Sequence, residues 1–223
     1  MRTRVKVCCI QSLGEAELAV ELGADCLGLV AEMPSGPGPI PDRVIAEIAG
    51  SIPPGVSSFL LTSRTGPEEV VEHVRASGVN VVQLVDGVPT RTYVALRGAC
   101  PSVRIVQVVH VEDERALHAA ARVAAHVDAV LLDSGRPGAV VKELGGTGRT
   151  HNWSLSQEIG RGLSVPIFLA GGLSASNVRE AINQVSPFGV DLCSGVRTDG
   201  ALDASKLGAF FSEVRRADAN RGE

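Results

Sequence analysis

From one end to the other, the chain alternates between short apolar runs rich in β-branched residues and longer stretches with apolar residues at helical spacing. The short runs read as strands over Val5–Ile10, Cys26–Ala31, Val56–Thr62, Val79–Val85, Val103–Val111, Ala129–Asp133, Pro166–Gly171 and Gly189–Cys193. The longer stretches read as helices over Ser12–Gly23, Pro41–Ser51, Glu68–Ala76, Thr90–Ala99, Asp113–Ala125, Ser154–Arg161, Ser174–Val185 and Ala204–Arg216. Near-continuous apolar strands are what a parallel sheet needs when helices cover it. Eight such units in 223 residues, with no linker-like stretch between them, predict an α/β fold: a single (β/α)8 TIM barrel over 1–216 with a polar tail over 217–223.

Charge and cysteine usage narrow the partners. Lys and Arg number 21 against 25 Asp and Glu, a net charge of −4 with no basic tail. That argues against nucleic acid or an anionic membrane as partner, but leaves room for a small anion held by backbone donors. The apolar run after Met1-Arg2-Thr3-Arg4 is too short for a signal peptide, and no stretch reaches the length of a membrane span. The reading is a cytoplasmic protein, monomer or homodimer. The cysteines, Cys8, Cys9, Cys26, Cys100 and Cys193, form no CxxC pair and lie at no metal-ligand spacing from histidine, so no metal is expected. Cys26 and Cys100 read as small buried hydrophobes. A vicinal Cys8–Cys9 bridge would strain a strand backbone, which disfavours a redox role for that pair.

Barrel enzymes keep their chemistry at the C-terminal ends of the strands. Gly171 and Gly172 follow the seventh predicted strand, and Ser194 and Gly195 the eighth. Loops at those two places commonly cradle a phosphate on backbone N–H groups, although the same glycines could simply make tight turns. Ser174 or Ser176 could cap the helix that follows. Gly145, Gly146, Thr147 and Gly148 lie in the long connection from Ser134 to His151. That run lacks the ending of an ATP-binding loop and reads better as a flap over a substrate. Cys8 and Asp133 end strands three positions apart in the ring, and could serve as base and acid across the mouth. Lys6 shares the strand face of Cys8 and would favour a thiolate. The pattern equally allows Cys8 as core filler and Asp133 as a cap. Cys9 should point toward the surrounding helices.

These same residues carry a family likeness. Lys6-Val-Cys-Cys-Ile-Gln11, Gly23-Ala24-Asp25, Asp133-Ser134, Gly145–Gly148 with Trp153, Leu169–Leu173, Asn177-Val178, Ala181-Ile182, Val190-Asp191 and Ser194-Gly195-Val196 follow the motif order of phosphoribosylanthranilate isomerases. The chain resembles that family over essentially its whole length. The resemblance implies an Amadori rearrangement of an N-(5-phosphoribosyl)amine to a 1-amino-1-deoxyribulose 5-phosphate, with no metal and no cofactor. It implies Cys8 as general base, Asp133 as general acid, and a small phosphorylated sugar-amine as substrate. Phosphate would rest on Gly171, Gly172, Ser194 and Gly195, with Lys6, Gln83, Asp191 and Arg197 in support.

Several positions depart from the family pattern. An arginine usual in the loop after the second strand aligns with Gly38, the usual histidine after the fourth with Val85, and a late glutamate with Arg197. A phenylalanine and an aspartate become His151 and Asn152, and a glycine becomes Cys9. Arg43 or Arg197 could take over the anchoring of a carboxylate. An isomerase of another sugar phosphate, or a noncatalytic phosphosugar-binding protein, would carry the same barrel and phosphate loops.

Overall fold

The computed structural model describes residues 2–135 and 150–221. Eight parallel strands close into a barrel in chain order, with β1 hydrogen-bonded to both β2 and β8. The strands are β1 (Arg4–Val7), β2 (Cys26–Val30), β3 (Ser57–Thr62), β4 (Val81–Leu84), β5 (Arg104–His110), β6 (Ala129–Asp133), β7 (Ile167–Leu169) and β8 (Gly189–Leu192). The helices are α1 (Leu13–Glu21), α2 (Asp42–Ser51), α3 (Pro67–Ser77), α4 (Thr90–Ala99), α5 (Arg115–Ala124), α6 (Trp153–Gly162), α7 (Val178–Val185) and α8 (Ala204–Asn220).

Two apolar clusters follow from the two-residue period of each strand. Residues facing outward, such as Val5, Val7, Leu27, Leu29, Val130, Leu132 and Val190, pack against the helices. Residues facing inward, including Cys8, Val30, Phe59, Leu61, Val106, Val108, Leu131 and Phe168, fill the barrel itself. Phe59 and Phe168 meet edge to face at 5.9 Å, and Gly189 leaves the space Phe168 occupies. This packed interior leaves the upper mouth as the place for chemistry.

Local signals explain most element ends. Ser12 caps α1 by accepting from Glu15 N at 3.2 Å, and α3 stops at Gly78 in the left-handed region. Most elements are a residue or two shorter or longer than expected, and three of the differences have a clear physical cause. β1 ends at Val7 because Cys9 takes a positive φ of 61°, which takes the chain out of extended geometry. α7 starts at Val178, and neither Ser174 nor Ser176 caps it, since Ser174 N instead donates to Asn177 Oδ1 at 2.9 Å. The expected polar tail begins as helix: Ala217 is buried, and Asp218 accepts from Thr3 N at 2.9 Å and Thr3 Oγ1 at 2.6 Å. A short hairpin, β9 (Arg197–Thr198) with β10 (Ala201–Leu202), precedes α8 and carries no sequence signal strong enough to anticipate it.

Candidate active site

Strand register brings the first pair together. Lys6 on β1 is the direct partner of Asp191 on β8, and both side chains turn inward. Lys6 Nζ lies 2.9 Å from Asp191 Oδ1, with no solvent exposure of the lysine side chain, and 5.3 Å above the Phe59 ring. Burial opposes charge on Lys6, yet the charge and hydrogen bond of Asp191, with Cys8 beside it, hold its pKa above the usual lysine range. Burial pushes Asp191 in the protonated direction, opposed by Lys6.

Cys8 stands two residues further along the same face. Burial pushes its thiol up to about 11, against the pull of the Lys6 ammonium toward the thiolate. Its neighbour across the sheet is Gly28, a position that the sequence analysis did not single out. A Cβ at Gly28 would lie 2.8 Å from Cys8 Sγ and 3.1 Å from Lys6 Nζ, so the absence of a side chain there makes room for both. Gly28→Ala is therefore expected to displace the pair, lowering kcat at least tenfold and costing about 1–3 kcal/mol of stability. Steady-state kinetics beside a denaturant titration checks this, and an unchanged kcat would refute the placement.

Asp133 closes β6, where burial raises its carboxyl pKa against the Ser134 N–H and the positive fields of His110 and Lys6. Ser134 N donates to Asp133 Oδ1 at 2.7 Å, which fixes the direction of the carboxyl group. The His110 ring approaches the Val85 carbonyl oxygen at 3.2 Å.

Cys8, Asp133, Asp191 and Gln83 line one pocket at the mouth of the barrel, together with Gly171, Gly172 and Ser194. Gly171 and Gly172 hold φ values of 88° and 62°, a turn that L side chains resist. Asn177 Nδ2 donates to Gly172 O at 3.0 Å and braces that turn. Gly195 lies behind the lining, where a Cβ would collide with the Leu173 carbonyl oxygen, so its part is to let the two loops touch. Gln83 Oε1 is buried and has no hydrogen-bond partner among the described residues. The opposite wall comes from Val30, Met33, Leu61 and Val85, with Ser35, Gly36 and Pro37 of the loop after β2. Among the described residues, no group of three or more His, Cys, Asp or Glu could hold a metal ion.

Three expectations are corrected. Cys9 does not face the helices: its positive φ turns it toward the mouth, where it lines the pocket and forms a disulfide with Cys193. The cysteines are thus not all free, and Cys193 is a site residue that scattered spacing gave no means to pair. Arg197 does not reach the pocket as a carboxylate anchor. Its guanidinium donates to Glu15 Oε1 and Oε2 at 2.9 and 2.8 Å, to Gly200 O at 2.7 Å, and to Cys9 O. Burial alone would raise Glu15, but Arg197 and the N–H groups of Leu202 and Gln11 hold it below the usual carboxylate range. Arg43 is exposed on α2 and does not line the pocket. Gly145, Gly146, Thr147 and Gly148 lie outside the described residues.

Comparison with known proteins gives a consistent result. The family model described as "N-(5'phosphoribosyl)anthranilate (PRA) isomerase" matches residues 5–213. An N-(5'-phosphoribosyl)anthranilate isomerase of Halobacterium salinarum is 37% identical over 216 residues, covering 95% of each chain. One from Methanosarcina acetivorans is 34% identical over 231 residues, covering 96% of this chain and 94% of its own. Among solved structures, the phosphoribosyl anthranilate isomerase of Thermotoga maritima superposes with a TM-score of 0.81 at 30% identity, covering 96% of this chain and 99% of that one. A phosphoribosyl anthranilate isomerase bound to reduced 1-(o-carboxyphenylamino)-1-deoxyribulose 5-phosphate gives a TM-score of 0.78 at 28% identity, with 96% and 99% coverage.

Proposed function

The chain belongs to the N-(5'-phosphoribosyl)anthranilate isomerase family, and from that membership we propose how its own residues divide the work. The reaction is an intramolecular aldose–ketose rearrangement of a phosphoribosylamine, part of tryptophan biosynthesis. One observation carries the assignment of roles: an acid-tuned carboxyl, a thiol beside a buried ammonium, and two glycine-bearing loops line or adjoin a single pocket.

Asp133 is the general acid. Burial favours the protonated form of its carboxyl group, and that proton passes to the furanose ring oxygen as the C1′–O bond breaks and the amine lone pair forms a Schiff base. Cys8, as thiolate, then removes the C2′ proton. The C–H electrons form the C1′–C2′ double bond and neutralise the iminium nitrogen, and the resulting enolamine tautomerises to the ketone. Lys6 is the positioning cation, since its charge is the feature that favours the thiolate over the thiol. Asp191 holds Lys6 in place.

Backbone N–H groups at Gly171, Gly172 and Ser194 receive the phosphate, while Gly195 allows the strand-eight loop its close approach. The unpartnered Gln83 Oε1 accepts from a substrate hydroxyl or N–H. We take the working unit to be a monomer or a homodimer. A phosphorylated substrate stays in the compartment that makes it, which is why we put the reaction in the cytoplasm.

The test is turnover of N-(5'-phosphoribosyl)anthranilate by the purified protein, followed as loss of substrate fluorescence with identification of the ketose product. Saturable conversion is expected. Well-folded protein that binds the substrate without converting it would overturn the assignment.

A further inference from the structure

The Cys9–Cys193 disulfide lies where three parts of the pocket meet. Cys9 follows Cys8 directly, and Cys193 directly precedes Ser194. The third part is the loop after β2: a Cβ at Gly38 would fall 2.6 Å from Cys9 Cβ and 3.2 Å from Cys9 Sγ, so this loop rests on the bridge. Ser35, Gly36 and Pro37 of the same loop form a pocket wall. The Cα atoms of the bridged pair are 5.9 Å apart, within the ordinary span of a disulfide.

The two sulfurs differ in access. Cys9 is 4% exposed, whereas Cys193 is only partly buried, and both line the open pocket. Cys8 points elsewhere, with its sulfur over Gly28 and beside Lys6, so the free thiol next door is not aimed at the bridge. Nor does the barrel need the bridge for closure. β1 and β8 are already paired from Arg4↔Gly189 to Val7↔Leu192, and Cys8 N donates to Leu192 O at 2.8 Å.

We propose that Cys9–Cys193 is a redox-reversible bridge that shapes the substrate pocket, opened by a small thiol or a protein dithiol entering from the mouth and closed again by a disulfide of the same class. The incoming thiolate attacks Cys193 Sγ, the S–S bond breaks, and Cys9 leaves as a thiolate that takes up a proton. A second thiol of the reductant resolves the mixed disulfide. Two thiols remain on the protein, and the reductant departs as a disulfide carrying the two electrons lost. Freed of its partner, Cys9 sits at a positive φ that a non-glycine residue resists, against the hold of Arg197 on its carbonyl oxygen and of its own N–H on the Cys8 sulfur. Its relaxation moves the Gly38 loop on one side and releases Ser194 on the other. The bridged form therefore binds the phosphosugar more tightly. The inference about binding rests on the phosphate role given above to Ser194, but the chemistry of the bridge does not.

The experiment has two readouts on the whole protein, purified without reductant and treated with oxidised glutathione. Alkylation under denaturing conditions, followed by peptide mass mapping, is expected to label Cys8, Cys26 and Cys100 and to leave Cys9 linked to Cys193. Full labelling of all the cysteines would overturn the proposal. Dithiothreitol is then expected to raise the KM for N-(5'-phosphoribosyl)anthranilate, and the Kd for inorganic phosphate, at least fivefold while the circular dichroism spectrum stays unchanged. Oxidised glutathione should restore both. Cys193→Ser should behave as the reduced protein and ignore either reagent. Changes under twofold, or a redox response that survives in Cys193→Ser, would overturn the proposal. If no form of the protein turns over the substrate, the isomerase assignment fails by itself, and the thiol map with phosphate binding still decides the fate of the bridge.

Discussion

Cys8→Ala and Asp133→Asn are each expected to lower kcat for the rearrangement by about 10²–10⁴-fold, with KM changed little. Both groups act on protons that move only as the transition state forms, so removing either leaves ground-state binding in place. The two losses should not multiply in the double variant, because ring opening must precede proton abstraction at C2′ and the groups work in sequence. Each side chain is buried, but neither holds up the fold: alanine at position 8 removes one sulfur and leaves the Lys6–Asp191 pair in place, and asparagine keeps the shape of Asp133. Circular dichroism and thermal melting close to wild type should therefore accompany the kinetic loss. A KM that rises in step with a modest fall in kcat would instead assign these residues to binding.

Lys6→Met has the second large effect, and it is an effect on stability as much as on rate. Lys6 is wholly buried, and its ammonium is 2.9 Å from a carboxylate that is nearly as buried. Removing one partner of such a pair leaves an uncompensated charge, a loss of about 3–5 kcal/mol. Exchanging both partners for apolar residues of similar volume is often neutral. Lys6→Met with Asp191→Leu should thus recover most of the stability lost in Lys6→Met, as read by urea denaturation. It should not recover turnover, because the Cys8 thiolate then has no cation beside it. Recovery of both would reduce Lys6 and Asp191 to a structural pair.

The barrel was legible because its signal is repeated: each apolar run and each helical stretch makes the same demand for a covered parallel strand. Strand positions followed closely, and the inward face of β1 carrying Lys6 and Cys8 could be read from the two-residue period alone. Cys9 is where that reasoning failed. Period two sends residue 9 outward, but a single positive φ reverses it, and no local feature of Cys8-Cys9-Ile10 announces the turn. The partner of Cys9 was illegible for a related reason, since 184 residues separate it from Cys193 and only barrel closure makes them neighbours. Arg197 shows the limit of reading charge from sequence. An arginine near a phosphate loop suggests an anchor, but Glu15 from α1 takes its guanidinium, and that contact spans nearly the whole chain. Gly28 was overlooked because a glycine inside a strand looks like weak packing until the two side chains it accommodates are in place.

If a protonated Asp133 and a Cys8 thiolate act together in one pocket, the pH dependence of kcat/KM, which reports the free enzyme, has a distinctive shape. The resting protein favours the thiol, with Cys8 pushed up to about 11, so the active combination is a minor protonation state whose population is flat between the two pKa values. The profile should rise through an acid limb lying above the usual aspartate range, level off, and fall through an alkaline limb near 11. Asp133→Asn should lose the plateau and the alkaline fall: its residual activity follows the Cys8 thiolate alone and keeps rising toward pH 11. A profile that falls near pH 8, or one whose limbs are the same in Asp133→Asn as in the wild type, would contradict the assignment of acid and base.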